Sequence, residues 1–281
     1  MKLAIITEKN NVLEYSKMGI DCFIFGLKDF SSGYDNEIDI ESIREIKENF
    51  NVELFIAINK NIFNRELDDL KEKLIELDDI GVSGILFYDL SILSLSKELN
   101  LKINLVWNQT HMVTNYNTCN YYYEKQVKYG VLSSEITLEE INEITSKTQM
   151  KFFLNIFGYQ IMGYSKRHLL DNYFKATSIK RNSKRYIIKN KEEDYIIEEE
   201  KNGNAIYDGK LLNGSIIVPL VNVDYLILND FNISKEIFIK ILMLYKELVD
   251  TKDEKIIYKI DSIVGDNRGF FFKKTIYKVK K

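Results

Sequence analysis

The residues able to do chemistry in this 281-residue chain are few: two cysteines, two histidines, and a set of carboxylates and carboxamides at the ends of apolar runs. Cys22 and Cys119 lie far apart, each in a segment that reads as buried, so both suit apolar packing. His111 follows an apolar run and could reach a site. His168 has no further ligands at fixed spacing, and one histidine alone does not hold a structural metal. Ser165 sits in no Gly-x-Ser-x-Gly turn and pairs with no histidine by motif, which argues against a serine hydrolase. Gly81-Val82-Ser83-Gly84 is too short for a phosphate loop and reads as a helix stop entering a strand. What remains is binding chemistry: Asn59, Asp89, Asn108-Gln109-Thr110-His111, Ser133-Ser134-Glu135 and Tyr159-Gln160. Asp89 also suits capping of the helix that follows it, whereas Thr137 takes that role near Glu135.

Charge is distributed unevenly. The net charge of −3 argues against a general polyanion binder, yet Lys166 to Lys191 carries nine Lys or Arg against the single Asp171. Lys166, Arg167, Lys175, Lys180, Arg181, Lys184 and Arg185 are its candidate RNA contacts, with Tyr164, Tyr173, Phe174 and Tyr186 placed among them for base stacking. A solvated charged face is the competing explanation. Arg268, Lys273, Lys274, Lys278, Lys280 and Lys281 add a second basic cluster.

Positioning these groups falls to alternating strands and helices. Apolar runs at Leu3–Ile6, Cys22–Phe25, Val52–Ile58, Gly84–Tyr88, Ile103–Trp107, Gly130–Leu132, Phe152–Ile156 and Val223–Leu228 read as eight strands. Their unbroken apolar character suits parallel strands buried on both faces. Helix starts follow at Asp39, Asn64, Asp89 and the Thr137-x-x-Glu140 capping box, and Leu67, Leu70, Leu74 and Leu77 mark a core-facing stripe. Eight such units predict a (β/α)₈ TIM-type barrel, whose site lies in the loops after the strands.

Between Tyr173 and Asn222 the rhythm breaks. RYIIKN, DYIIEEE and NAIYDG read as short strands, with a turn at Lys201-Asn202-Gly203-Asn204, predicting a β-rich insertion over 176–222 after the seventh strand. The barrel with its insertion is expected over 1–250. A C-terminal β extension is expected over 251–281, with EKIIYKI and GFFFKKTIYKVKK as strands around a Gly265–Gly269 loop. With 45% hydrophobic residues, no run of about 18 apolar residues and no export signal at Met1, the chain is expected in the cytoplasm, away from membranes.

Phe153 to Phe174, FLNIFGYQIMGYSKRHLLDNYF, resembles the active-site segment of the collagenase-like peptidases, peptidase family U32. Gly158, Tyr164, Ser165, Leu169, Leu170, Asn172 and Tyr173 match. Phe157 stands for the family's His, and Ile161 and His168 stand for two of its cysteines. Asn64-Arg65-Glu66-Leu67, Asp89, Thr114-Asn115 and Leu132-Ser133-Ser134-Glu135 extend the resemblance over about residues 2–175, with Ser134 replacing the usual Arg. The resemblance implies a site built from Asn59, Asp89, Gln109, Asn115, Glu135, Tyr164, Ser165 and Asn172, expected to hold a small anion or nucleotide at the barrel mouth, with tRNA on the basic segment. Because four clustered thiols are missing, it implies no iron–sulfur cluster or metal. Short length and missing cysteines resemble a companion subunit, paired with a cysteine-bearing paralogue that hydroxylates tRNA wobble uridine with prephenate as donor. A protease, and a purely structural partner, are the alternatives.

Overall fold

A computed structural model describes residues 1–34, 37–109, 111–189 and 193–273; Thr110, Lys191, Lys274, Lys278, Lys280 and Lys281 lie outside them. The chain runs β1 (Lys2–Ile6), α1 (Val12–Lys17), β2 (Cys22–Leu27), β3 (Glu37–Ile38), α2 (Ile40–Asn49), β4 (Glu53–Ile58), α3 (Leu67–Ile80) and β5 (Gly84–Phe87). It continues through α4 (Ser91–Glu98), β6 (Leu105–Trp107), α5 (Tyr116–Glu124), β7 (Tyr129–Val131), α6 (Leu138–Ser146) and β8 (Lys151–Ser165). Then come α7 (Leu169–Thr177), β9 (Arg185–Ile188), β10 (Tyr195–Glu200), β11 (Gly203–Asn213), β12 (Tyr225–Asn229), α8 (Lys235–Thr251) and α9 (Glu254–Val264).

All eight expected barrel strands are present as β1, β2, β4, β5, β6, β7, β8 and β12. They pair in parallel in that order, and β12 closes the ring by pairing with both β8 and β1. Parity explains the two cores. Ala4, Cys22, Ile24, Phe55, Ala57, Leu86, Val106, Val131, Phe153, Tyr225 and Ile227 fill the barrel interior. The alternate residues of the same strands pack outward beneath the helices. Inside, Phe153 stacks on Tyr225 with ring centroids 4.2 Å apart, and Phe55 meets Phe153 edge-on at 5.0 Å. At the floor, Tyr225 Oη donates to Glu53 over 2.9 Å, and Lys2 Nζ donates to the same carboxylate over 2.8 Å.

The helix starts at Asp39, Asn115 and Thr137 carry side-chain caps, whereas Asn64 opens a 3-10 turn and does not cap α3, which begins at Leu67. Asp39 accepts from Ser42 N at 3.0 Å, Asn115 from Thr118 N at 2.9 Å, and Thr137 with Glu140 forms the reciprocal box expected from sequence.

Two expectations need correction. β8 does not stop at Ile156: it runs on to Ser165, leaves the barrel and pairs antiparallel with β11, while β10 and β9 extend the same sheet. The exit is at Gly158, where φ is 121° and a Cβ would lie 2.8 Å from Asn229 O, so only glycine fits. The second correction is at the C-terminus, where EKIIYKI is helix α9 rather than strand. Asp253 caps it, accepting from Lys255 N at 2.9 Å, and Ile256, Ile257 and Ile260 enter the same core as the barrel helices. Burial at i, i+1 and i+4 is a helical face that a short apolar run does not distinguish from a strand. Phe270–Phe272 forms a turn in which Phe271 is buried and its neighbours exposed, and the remainder of the expected terminal strand lies outside the described residues.

Candidate ligand site at the barrel mouth

The inward parity continues one step beyond the apolar interior. Two residues past Ala57, Val106, Phe153 and Ile227 stand Asn59, Asn108, Asn155 and Asn229, so carboxamides from four strands crown the barrel. All four line one small cavity of about 80 Å³, together with Tyr34, Ser134, Tyr159 and Gln160. Asn59 and Asn108 also line an adjoining cavity of about 340 Å³ with Tyr88, His111 and Tyr164. A third cavity, of about 410 Å³, opens beside β1 and β12 between Glu8, Asn11, Arg185, Asp230 and Lys235. Gly33 borders all three.

The loop after β2 is pinned across this mouth. Asn59 Oδ1 accepts from Ser32 N at 2.9 Å while its Nδ2 donates to Ser32 O at 2.8 Å. Tyr207 Oη donates to Gly33 O at 3.1 Å, and Asn202 Nδ2 to Ser31 O at 2.9 Å, tying the β10–β11 hairpin to the same loop. Buried Tyr34 is hydrogen-bonded to Asn108; burial pushes its phenol above the usual range, and that bond pulls partly back. Asn229 Oδ1 accepts from Phe231 N at 2.9 Å, and Gln160 Nε2 donates to Gly158 O at 3.2 Å. The Asn155 carboxamide makes no hydrogen bond among the described residues.

Of the residues expected from sequence, Asn59 and Tyr164 line the mouth, and Tyr164 Oη donates to Asn202 O. Asp89, Gln109, Asn115 and Ser165 make hydrogen bonds within the fold. Asp89 accepts from Ile62 N and Ser91 N, both at 2.9 Å. Burial raises its pKa, but these bonds outweigh that and hold it below the usual carboxylate range. Gln109 bridges Trp107 Nε1 (2.9 Å) and Tyr88 O (2.7 Å), and Asn115 caps α5. Ser165 accepts from Arg167 N at 3.2 Å, and Asn172 is exposed on α7. Glu135 stands on the rim, 3.3 Å from His111 Nδ1. Asn155 and Asn229 were missed, although the signal was present: a polar residue interrupting the apolar strands FFLNIF and YLILN, in step with inward neighbours.

The basic segment is partly neutralised within the fold. β10 buries two adjacent glutamates, Glu198 and Glu199, with side chains 1% and 2% exposed. Glu199 takes Arg181 and the N–H of Leu170 at 2.9 Å, while Asp171 also binds Arg181. Glu198 takes Lys184 at 2.7 Å and Arg185 at 3.1 Å, and Arg185 also lies 4.2 Å over the Phe231 ring. Lys166 donates to Asn61 O at 2.6 Å and sits 3.7 Å over Phe63. Arg167, Lys175 and Lys180 are exposed and form no ion pair among the described residues.

His168, Asp171 and Glu199 approach as metal ligands would, but the Arg181 guanidinium already engages both carboxylates. Cys22 is sealed inside the barrel and Cys119 beneath α5, and burial pushes the first thiol well above its usual value and the second up to about 12. These donors do not fit an iron–sulfur cluster. Phe157, at the family's His position, is buried against Tyr245 and Phe238, with ring centroids 5.7 and 6.1 Å away. Among the described residues, no helix is long and apolar enough to cross a membrane.

The sequence is similar over its whole length to tRNA hydroxylation protein P2 of Bacillus subtilis (strain 168), 28% identical with 96% of this chain and 97% of that protein covered. It is 24% identical to tRNA hydroxylation protein P1 of the same organism, over 54% of this chain and 36% of that protein. Among solved structures, a ligand-free tryptophan synthase from M. tuberculosis superposes with a TM-score of 0.46 at 10% identity, covering 96% of this chain and 92% of that one. The model of peptidase family U32 matches residues 8–255, so the crowned barrel and the strand leaving it at Gly158 belong to a member of that family.

Proposed function

We propose that this chain is a subunit of a tRNA-hydroxylating pair in the cytoplasm, acting with a cysteine-bearing U32 paralogue in forming 5-hydroxyuridine at the wobble position, with prephenate as hydroxyl donor. The observation that carries the proposal is the end-to-end similarity to tRNA hydroxylation protein P2, against partial coverage of P1. The chain matches one member of a named pair in full length and the other only in part.

In this reading the chain holds no cluster or metal of its own, consistent with its two sealed thiols and the occupied carboxylates at His168. Its contribution is binding. The exposed Arg167, Lys175 and Lys180 supply phosphate contacts, and the mouth supplies hydrogen bonds. Ser165 Oγ accepts from Arg167 N and has no hydrogen bond to a histidine among the described residues, which gives proteolysis no support from this residue.

The test is deletion of the gene followed by mass spectrometry of tRNA nucleosides, with the tagged chain used as bait in parallel. Loss of wobble 5-hydroxyuridine and recovery of a cysteine-bearing paralogue are expected. Unchanged 5-hydroxyuridine in the deletion strain sinks the proposal.

A further inference from the structure

We infer that the carboxamide crown is a site for one uncharged nucleobase, gripped edge-on by Asn155, Asn229 and Gln160. The inference rests on the tRNA reading above and names what the mouth of this chain would hold.

The first argument is charge. Among the described residues lining the central and the 340 Å³ cavities there is no Lys, Arg, Asp or Glu, and His111 is the one side chain there able to become cationic. A dicarboxylate entering this mouth would lose water without gaining a counter-charge, a cost that neutral amides do not repay. A neutral ring with polar edges bears no such cost.

The second argument is open hydrogen-bonding capacity. Asn59 and Asn108 are committed to Ser32 and Tyr34 and so form the rigid part of the crown. Asn155 keeps a complete donor–acceptor pair, Asn229 keeps Nδ2 and Gln160 keeps Oε1, with no partner among the described residues. A carboxamide offers N–H and C=O side by side, the complement of the N3–H and carbonyl edge of a uracil ring. The third argument is shape. Tyr88 and Tyr164 present half-exposed faces in the adjoining cavity, whose 340 Å³ lies in the small-ligand range. A base turned out of an RNA strand is held in this way, by stacking on aromatic faces and hydrogen bonds to its edge.

The experiment measures anisotropy of a short single-stranded RNA carrying one uridine, against the same RNA with an abasic ribose at that position. The chain is used alone and with whatever partner co-purifies. The uridine RNA is expected to bind about tenfold tighter. Asn155→Leu should erase that preference while leaving affinity for the abasic RNA unchanged. Asn229→Asp keeps the acceptor that serves Phe231 but replaces the donor with an acceptor and adds a negative charge, so it should lower the preference several-fold, with thermal unfolding as the check that the fold survives. Free uridine should compete, and malonate at equal concentration should not. Equal binding of the two RNAs, or competition by malonate and not by uridine, overturns the inference and leaves the tRNA reading standing. If neither RNA binds, the base site falls, and the nucleoside analysis of the deletion strain still decides that reading separately.

Discussion

At the barrel mouth the enclosed polar groups are neutral carboxamides, whereas the β-rich excursion buries two full carboxylates, Glu198 and Glu199. The difference follows from what each region has to do. An excursion of three short strands has little apolar core of its own, with Ile196, Ala205, Tyr207 and Phe231 as its buried cluster. Ion pairs reaching from β10 to Arg181, Lys184 and Arg185 cross-link it instead. Adjacent strand residues point to opposite faces, so the two glutamates tie down both sides of the sheet. The mouth must stay open to a ligand, and amides hold hydrogen-bonding capacity there without the desolvation cost of a bare charge.

Removing a buried charge should therefore cost more in the excursion than removing an amide costs at the mouth. Glu199→Ala leaves Arg181 with Asp171 alone and unpairs the N–H groups of Leu170 and Asp171, and should destabilise by about 3–5 kcal/mol, seen in thermal unfolding and in early proteolysis between β9 and β11. Asn59→Ala leaves both backbone groups of Ser32 unpaired and should cost about 1–3 kcal/mol in the same assay. Equal losses for the two variants would break the contrast.

Acid sharpens it. The folded-state pKa of Asp89 lies below its ordinary value, so its stabilisation is complete above the usual carboxylate range and fades as pH falls through the depressed value. In Asp89→Asn stability near neutrality should fall, and the curve should converge on the wild type below the depressed value, so that the acid limb flattens. A variant curve parallel to the wild type would show that the bonds to Ile62 and Ser91 do not act through charge.

Exposed lysines stand at the small end for stability. Lys175→Ala with Lys180→Ala should leave the melting temperature nearly unchanged, yet reduce the slope of log affinity against log salt for tRNA by about two. An unchanged slope would move RNA off the excursion. Smallest of all, the thiols of Cys22 and Cys119 should resist a disulfide reagent at neutral pH until the protein unfolds, because burial raises both above the reactive range. Rapid labelling of either would contradict their sealed positions.

Much of this was legible in the chain. Eight unbroken apolar runs, the Asp39 and Thr137 caps and the Gly158-to-Tyr173 pattern depend on neighbours within a few residues, so sequence alone determined the barrel, its helix starts and the family resemblance. The turn at Lys201-Asn202-Gly203 belongs with them, since Gly203 at φ 135° takes a backbone conformation that glycine favours locally. Helix α9 was misread because its apolar residues satisfy two periodicities at once, and only packing against the core chose between them.

Tertiary structure decided the site. Whether Arg181 is an RNA contact or a partner for Glu199, 18 residues away, depends on strand register across the excursion. Whether Asn59 binds a ligand or clamps Ser32, 27 residues distant, depends on how the loop after β2 folds over the mouth. Local periodicity tells each residue which way to point, and closure of the barrel determines which side chains meet there: Asn155 and Asn229 are 74 positions apart and come together because β12 pairs with β8.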